Sequence, residues 1–107
     1  MVHHRAVVAI QVSLSPIAAL FHRLLTRPVI ELDGRENAGK WGSQEIPVDP
    51  GDHHLSVFFR YRGQNGARLA EADTRFVTRD ATRRVDITAH LGPRNGSRFR
   101  IGEPVIS

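Results

Sequence analysis

The side chains able to do chemistry in this chain are six histidines, eleven carboxylates and a scatter of serines. Cysteine is absent, which removes disulfides, thiolate metal sites and cysteine nucleophiles together. His53 and His54 are adjacent, and a strand turns adjacent side chains to opposite faces, so they cannot readily chelate one ion. No histidine pair stands at i, i+2 along a strand or i, i+4 along a helix with a carboxylate beside it, so no metal centre is expected. Ser13, Ser15, Ser43, Ser56, Ser97 and Ser107 all lack the G-x-S-x-G setting of a hydrolase nucleophile. Glu71 and Asp73 lie two apart, on one face of a strand, and could share acid–base work if burial raised one pKa. They alternate with Arg68 and Arg75, which instead predicts a solvated, salt-bridged face. Neither a G-x-G-x-x-G turn nor a Walker A loop is present. The expectation is a protein without catalysis, metal or cofactor.

Binding has more to work with. The net charge is +4, and every basic residue except Lys40 is arginine. The arginines concentrate from Arg60 onward, where they outnumber the acids. A basic half suits a polyanion, whether nucleic acid, anionic lipid head group or acidic glycan. High-GC coding produces the same excess of arginine over lysine. The run Phe58-Phe59-Arg60-Tyr61-Arg62 interleaves aromatics with arginines, as single-strand binders do. Arg83, Arg84, Arg94, Arg98 and Arg100 add charge. Phe59 and Tyr61 share the face of the core residues, which leaves Phe58 as the one candidate stacking platform, and the aromatic motif of RRM domains is missing. Trp41, the only tryptophan, sits beside Gly42; exposed it would anchor a partner, buried it would cap the core.

The elements that must carry these residues read as follows. At 107 residues the chain is one domain with a modest core. Val8, Ile10, Val12 and Leu14 alternate with polar positions and predict a first strand. Ser15-Pro16 then opens a helix of about Pro16–Leu25, with Ser15 as N-cap and Pro16 at N1. Its apolar stripe, Ile17, Leu20, Phe21, Leu24 and Leu25, predicts packing against the domain, and Arg23, Arg27 and His22 are thin for a membrane-surface helix. Pro28 stops it. Strands are then expected at 29–32, 43–48, 54–62, 68–78, 83–91 and 98–101, with flexible ends at about 1–4 and 102–107. Asp33-Gly34 and Pro50-Gly51 mark turns. Pro47 cannot donate to a ladder and marks an edge strand. Leu55, Val57 and Phe59 should face inward, with Ala70, Ala72, Thr74 and Phe76 opposite them and Leu69 outward. Six or seven strands and one short helix predict a small antiparallel β-sandwich or open barrel.

Ile30-Glu31-Leu32-Asp33-Gly34 and the run Ile46 to Val57, with its Pro50-Gly51-Asp52-His53 turn, resemble the repeat core of PEGA-like β-domains. The stretch from Pro28 to Tyr61 is similar also to a group of small actinobacterial proteins. The resemblance covers about half the chain and rests on turn chemistry. It implies an all-β sandwich, a place at the cell surface or envelope, and no catalytic residues. The chain departs from PEGA-like domains in its inserted helix. No segment has the apolar length to span a bilayer, and Arg5 followed by Ala6–Ile10 makes no clear signal peptide, which favours the cytoplasm over the envelope. Two functions stand at this point. One is a non-catalytic interaction or assembly module, engaging a protein partner or a second copy, with Trp41 and Phe58 as anchors. The other is an anionic-ligand binder using Arg60, Arg62, Arg83, Arg84, Arg94, Arg98 and Arg100.

Overall fold

The computed structural model describes residues 5–92 and 98–107, with the backbone alone at 17 and 18. It is a two-layer sandwich. The first sheet runs β4 (Gly42–Val48), β1 (Ala6–Leu14), β7 (Arg84–Leu91), with β8 (Phe99–Ile101) and β9 (Val105–Ile106) following one another along the far edge of β7. The second runs β3 (Arg35–Ala38), β2 (Thr26–Leu32), β5 (Gly51–Tyr61), β6 (Leu69–Thr78), all antiparallel. Neither sheet closes into a barrel. Strands β1 and β7 pair in parallel, Val8 opposite Val85 and Ile10 opposite Ile87, with β4 antiparallel on the other side of β1.

Alternation along the strands builds the core. Val8, Ile10 and Val12 of β1 and Val85, Ile87, Ala89 and Leu91 of β7 point inward from one sheet. Ile30 and Leu32 of β2, Leu55, Val57 and Phe59 of β5, and Phe76 of β6 meet them from the other. A period of two with one apolar face is what an antiparallel sandwich needs, since each sheet hides one face and wets the other.

Strand β5 is buried on both faces. Val29 and Phe58 are cross-strand partners on the outer face of the second sheet, and Phe58 is wholly inaccessible. Two guanidinium groups cover its ring: Arg68 Cζ lies 4.5 Å and Arg60 Cζ 5.0 Å from the centroid, within cation–π range. The arginines are themselves held. Arg60 donates two hydrogen bonds to the Glu36 carboxylate, at 2.7 and 3.2 Å, and Arg68 donates to both Glu31 and Glu71. This cover corrects the expectation of Phe58 as a stacking platform or partner anchor: an aromatic ring on a sheet face gains more under paired arginines than in water.

The β5–β6 ladder slips between Val57 and Phe59. Val57 pairs with Ala72, but Phe59 pairs with Leu69, so Ala70 and Glu71 together oppose Phe58. This is a β-bulge, with Ala70 in the left-handed region at φ 58°. The extra residue turns Leu69 inward to pack against the core, where plain alternation placed it outside.

Two further departures concern the ends of elements. Strand β3 forms because Asp33-Gly34, both at positive φ (53° and 83°), makes the two-residue type I′ turn that folds Arg35–Ala38 back on β2. The last residues, expected to leave the domain as a tail, return to it. Val105 and Ile106 pair with Asp86 and Val85, and the Ser107 carbonyl accepts from the Arg83 and Arg84 backbone N–H groups.

Left-handed backbone costs an alanine about 1 kcal/mol that glycine does not incur. Ala70→Gly is therefore expected to hold or raise stability, by up to about 1 kcal/mol, while Ala70→Val lowers it by a similar amount or more. Urea unfolding of the two variants measures both; a clear loss in Ala70→Gly contradicts the strain argument. Phe58→Ala should cost about 3–5 kcal/mol in the same assay, the range of a fully buried aromatic.

Candidate functional site

Strand β1 ends in the first sheet and β2 begins in the second, so the segment between them must cross from layer to layer at one end of the sandwich. Helix α1 (Pro16–Leu25) is that crossing. Pro16 takes N1 as its missing N–H allows, but the Ser15 side chain makes no cap bond. Ser15 is instead held through its backbone, its N–H donating to the Leu91 carbonyl at the end of β7. At the C-terminus Thr26 takes over: its N–H and its hydroxyl both turn to the His22 carbonyl, and Arg62 donates to the Arg23 carbonyl.

The helix meets the sandwich through His22, half-buried as Ala19 is on the same side. The His22 ring packs edge-on to Phe59 (centroids 4.9 Å apart) and lies 5.7 Å from Trp41, with Nδ1 3.1 Å from the Thr26 hydroxyl. Burial pushes its pKa down, which favours the neutral ring. The opposite side of the helix faces solvent. Leu20 is 72% exposed, Leu24 62%, Leu25 49% and Phe21 47%. Tyr61 lies edge-on to Phe21 and is also exposed. Four residues of the apolar stripe expected to pack on the domain, Leu20, Phe21, Leu24 and Leu25, therefore point away from it, and the side chain of the fifth, Ile17, lies outside the described residues. Among the described side chains of the helix, His22 makes the ring contacts with the sandwich, on the side opposite these four.

Charge follows the same axis. The described segments that gather at the helix end are 14–26, 38–42, 61–69, 91–92 and 98–99 of the sequence, and not one contains an aspartate or glutamate. Among the described residues they carry Arg23, Lys40, Arg62, Arg68 and Arg98. The opposite end carries Asp33, Asp49, Asp52 and Asp80 among its own arginines. The helix end is thus apolar at its tip, basic around it and free of acidic residues in its sequence.

The candidate residues from the sequence are dispersed. Trp41 is half-buried, stacked on Phe99 at 6.0 Å and packed against the core, with its Nε1 buried and without an acceptor among the described residues. It caps the core. Phe58 and Arg60 belong to the covered outer face of the second sheet. Arg84 and Arg100 lie on the outer face of the first, where Arg84 pairs with Asp86 and Glu45. Arg83 is exposed at the far end. Arg62 and Arg98 are exposed at the helix end. Arg94 lies outside the described residues. These arginines do not form one face, because strand alternation and the two-layer fold send neighbours in sequence to opposite sides.

Two polar arrangements have no signal in the sequence. Ser13 Oγ lies 2.8 Å from His90 Nδ1 across the parallel β1–β7 pair. A nucleophile beside a base is the start of acyl-transfer chemistry, but this pair sits on an open sheet face, and no carboxylate bonds the other ring nitrogen among the described residues. At the far end, His53 is clamped. Its Nδ1 lies 2.6 Å from the Asp33 carboxylate and its Nε2 2.7 Å from the Asp49 carbonyl. Two acceptors favour a ring with two donors, the imidazolium. No group of three histidine or carboxylate side chains able to hold a metal ion occurs among the described residues. No described helix is long and apolar enough to cross a membrane. Comparison with known proteins returns no match among family models, curated proteins or solved structures.

The His53 clamp makes stability depend on pH. Burial works against the charged ring, but the bonds to Asp33 and Asp49 outweigh it and raise the pKa. Desolvation works against the Asp33 carboxylate, but the bonds from His53 and the His54 N–H outweigh it and hold its pKa down. A raised histidine stabilises fully below its unfolded value of about 6.5 and loses that contribution as pH rises through the folded value. The depressed aspartate stabilises fully above its unfolded value, about 3.9, and loses it as pH falls. The clamp is thus strongest between about pH 4 and 6.5. The stability difference between wild type and His53→Gln, from urea unfolding, should be largest near about pH 5.5 and shrink toward pH 9 or so. A difference that grows with pH contradicts the imidazolium assignment.

Proposed function

We propose that this protein is a non-catalytic interaction module that docks through its helix end. One observation carries the reading: Leu20, Phe21, Leu24 and Leu25 are all exposed on one side of α1. Large apolar side chains gathered in one patch on a small domain favour a docking role over an idle surface. Much of the charged surface elsewhere supports the choice, because it is satisfied internally. Arg60, Arg68 and Arg84 are spent on Glu36, Glu31, Glu71, Asp86 and Glu45. A distant relation of the Pro28–Tyr61 strands to PEGA-like domains, which bring no catalytic residues, accords with this role and forms part of the proposal.

The test is positional. A photo-cross-linking residue placed at Leu24 should give specific adducts in cells expressing the protein, while the same residue at Arg35, at the far end, should give none. Leu20→Ser with Leu24→Ser should abolish the adducts formed by a probe placed at Phe21, and change unfolding free energy by no more than about 1 kcal/mol, as expected for exposed positions. Equal labelling from both ends of the molecule contradicts the reading.

A further inference from the structure

We infer that the surface which the helix end docks on is an anionic lipid bilayer. The inference rests on the interaction-module reading and names the occupant of that same site. Three features of the helix end point to it together. First, Leu20 and Leu24, and Phe21 and Leu25, are i, i+4 pairs, so the exposed apolar side chains form two adjoining rows along one side of α1. Rows of this kind let a short helix lie in the boundary between head groups and acyl chains.

Second, the charge around those rows has one sign. Arg23 is on the helix itself, Arg62 bonds its C-terminal carbonyl, and Lys40 and Arg98 come from the adjacent β3–β4 connection and the segment entering β8. The first acidic residue of the whole chain is Glu31, beyond the helix and on the second sheet. Cations flanking an apolar stripe, with no carboxylate to be repelled, complement a negative leaflet. The same charges disfavour a second copy on this site, since a two-fold contact would set one basic end against another.

Third, the docking surface is the tip of an elongated molecule of about 47 × 24 × 18 Å. At the far end Asp33, Asp49, Asp52 and Asp80 offset Arg5, Arg35, Arg79 and Arg83, so the basic helix end and the balanced far end differ in charge as well as in polarity. That asymmetry orients the protein against a negative surface before any apolar side chain is buried.

Sedimentation of the purified protein with sucrose-loaded vesicles tests this. Vesicles of phosphatidylcholine mixed with phosphatidylglycerol should carry the protein down, vesicles of phosphatidylcholine alone should not, and high salt should release it. Leu20→Ser with Leu24→Ser should weaken partitioning about tenfold or more. Arg23→Gln should weaken it about fivefold while leaving the apolar rows intact. Circular dichroism on each variant establishes that the fold is retained. Equal binding to both vesicle types, or binding that the leucine and arginine variants leave unchanged, overturns the inference. Absence of vesicle binding also overturns it, and light scattering then separates the two readings. Self-association of wild type, lost in the leucine variant, retains the docking module with a second copy as occupant. Wild type and variant alike in both scattering and cross-linking removes the module as well.

Discussion

The parallel pairing of β1 with β7 constrains everything at the helix end. Because β1 runs in the same direction as β7 and antiparallel to β4, it finishes at the tip of the first sheet with no hairpin available to it. The chain can continue only by crossing to the second sheet, where β2 starts beside the last residues of β5. Facing sheets lie about 10 Å apart, and a ten-residue helix is about 15 Å long. The helix is therefore longer than the gap it crosses and has more surface than the sandwich end can cover. Its exposed leucines follow from that mismatch as much as from their own chemistry.

Two histidines mark the two ends of the sandwich and answer to acid in opposite senses. His22 sits among Phe59, Trp41 and Phe21, where burial favours the neutral ring. His53 sits on Phe76 with a carboxylate and a carbonyl on its nitrogens, where the charged ring is favoured. Acidification through the ordinary histidine range therefore loosens the joint between α1 and the sandwich and tightens the turn end. The difference lies in the acceptors alone, since both rings are partly buried against aromatic neighbours.

Much of the frame was legible in the sequence. The alternation of Val8, Ile10 and Val12, and of Val85, Ile87 and Ala89, specifies inward rows because a sandwich strand has only two faces. Asp33-Gly34 was readable as a turn for the steric reason that Gly adopts positive φ freely; the short β3 it creates was not, because Arg-Glu-Asn-Ala has no apolar rhythm. Leu69 escaped the same logic. A bulge adds one residue to the count, and nothing in Arg68-Leu69-Ala70-Glu71 announces it. The helix shows the deeper limit. Amphipathic periodicity reveals that one side is apolar but not which side the tertiary contacts will use, and here His22 lies on the inner side. Phe58 is the reverse case: its cover comes from Arg60 and Arg68, and the carboxylates that hold them, Glu36 and Glu31, are remote in sequence, so no local pattern announces it.

The β1–β7 pair has a consequence for how the chain is made. Ser13 and His90, joined across that pair, stand 77 positions apart. During synthesis β1 emerges before every other strand of the sandwich, an apolar strand whose parallel neighbour follows only after β2 to β6. Until then only β4 can shield one of its edges, and the layer of β2, β5 and β6 is complete before the layer it must pack against. Long-range parallel pairing is slow to form, and an apolar strand with an open edge invites association with other chains. Pro47, which withholds a backbone donor on the outer strand of that half-built sheet, limits growth on its other side.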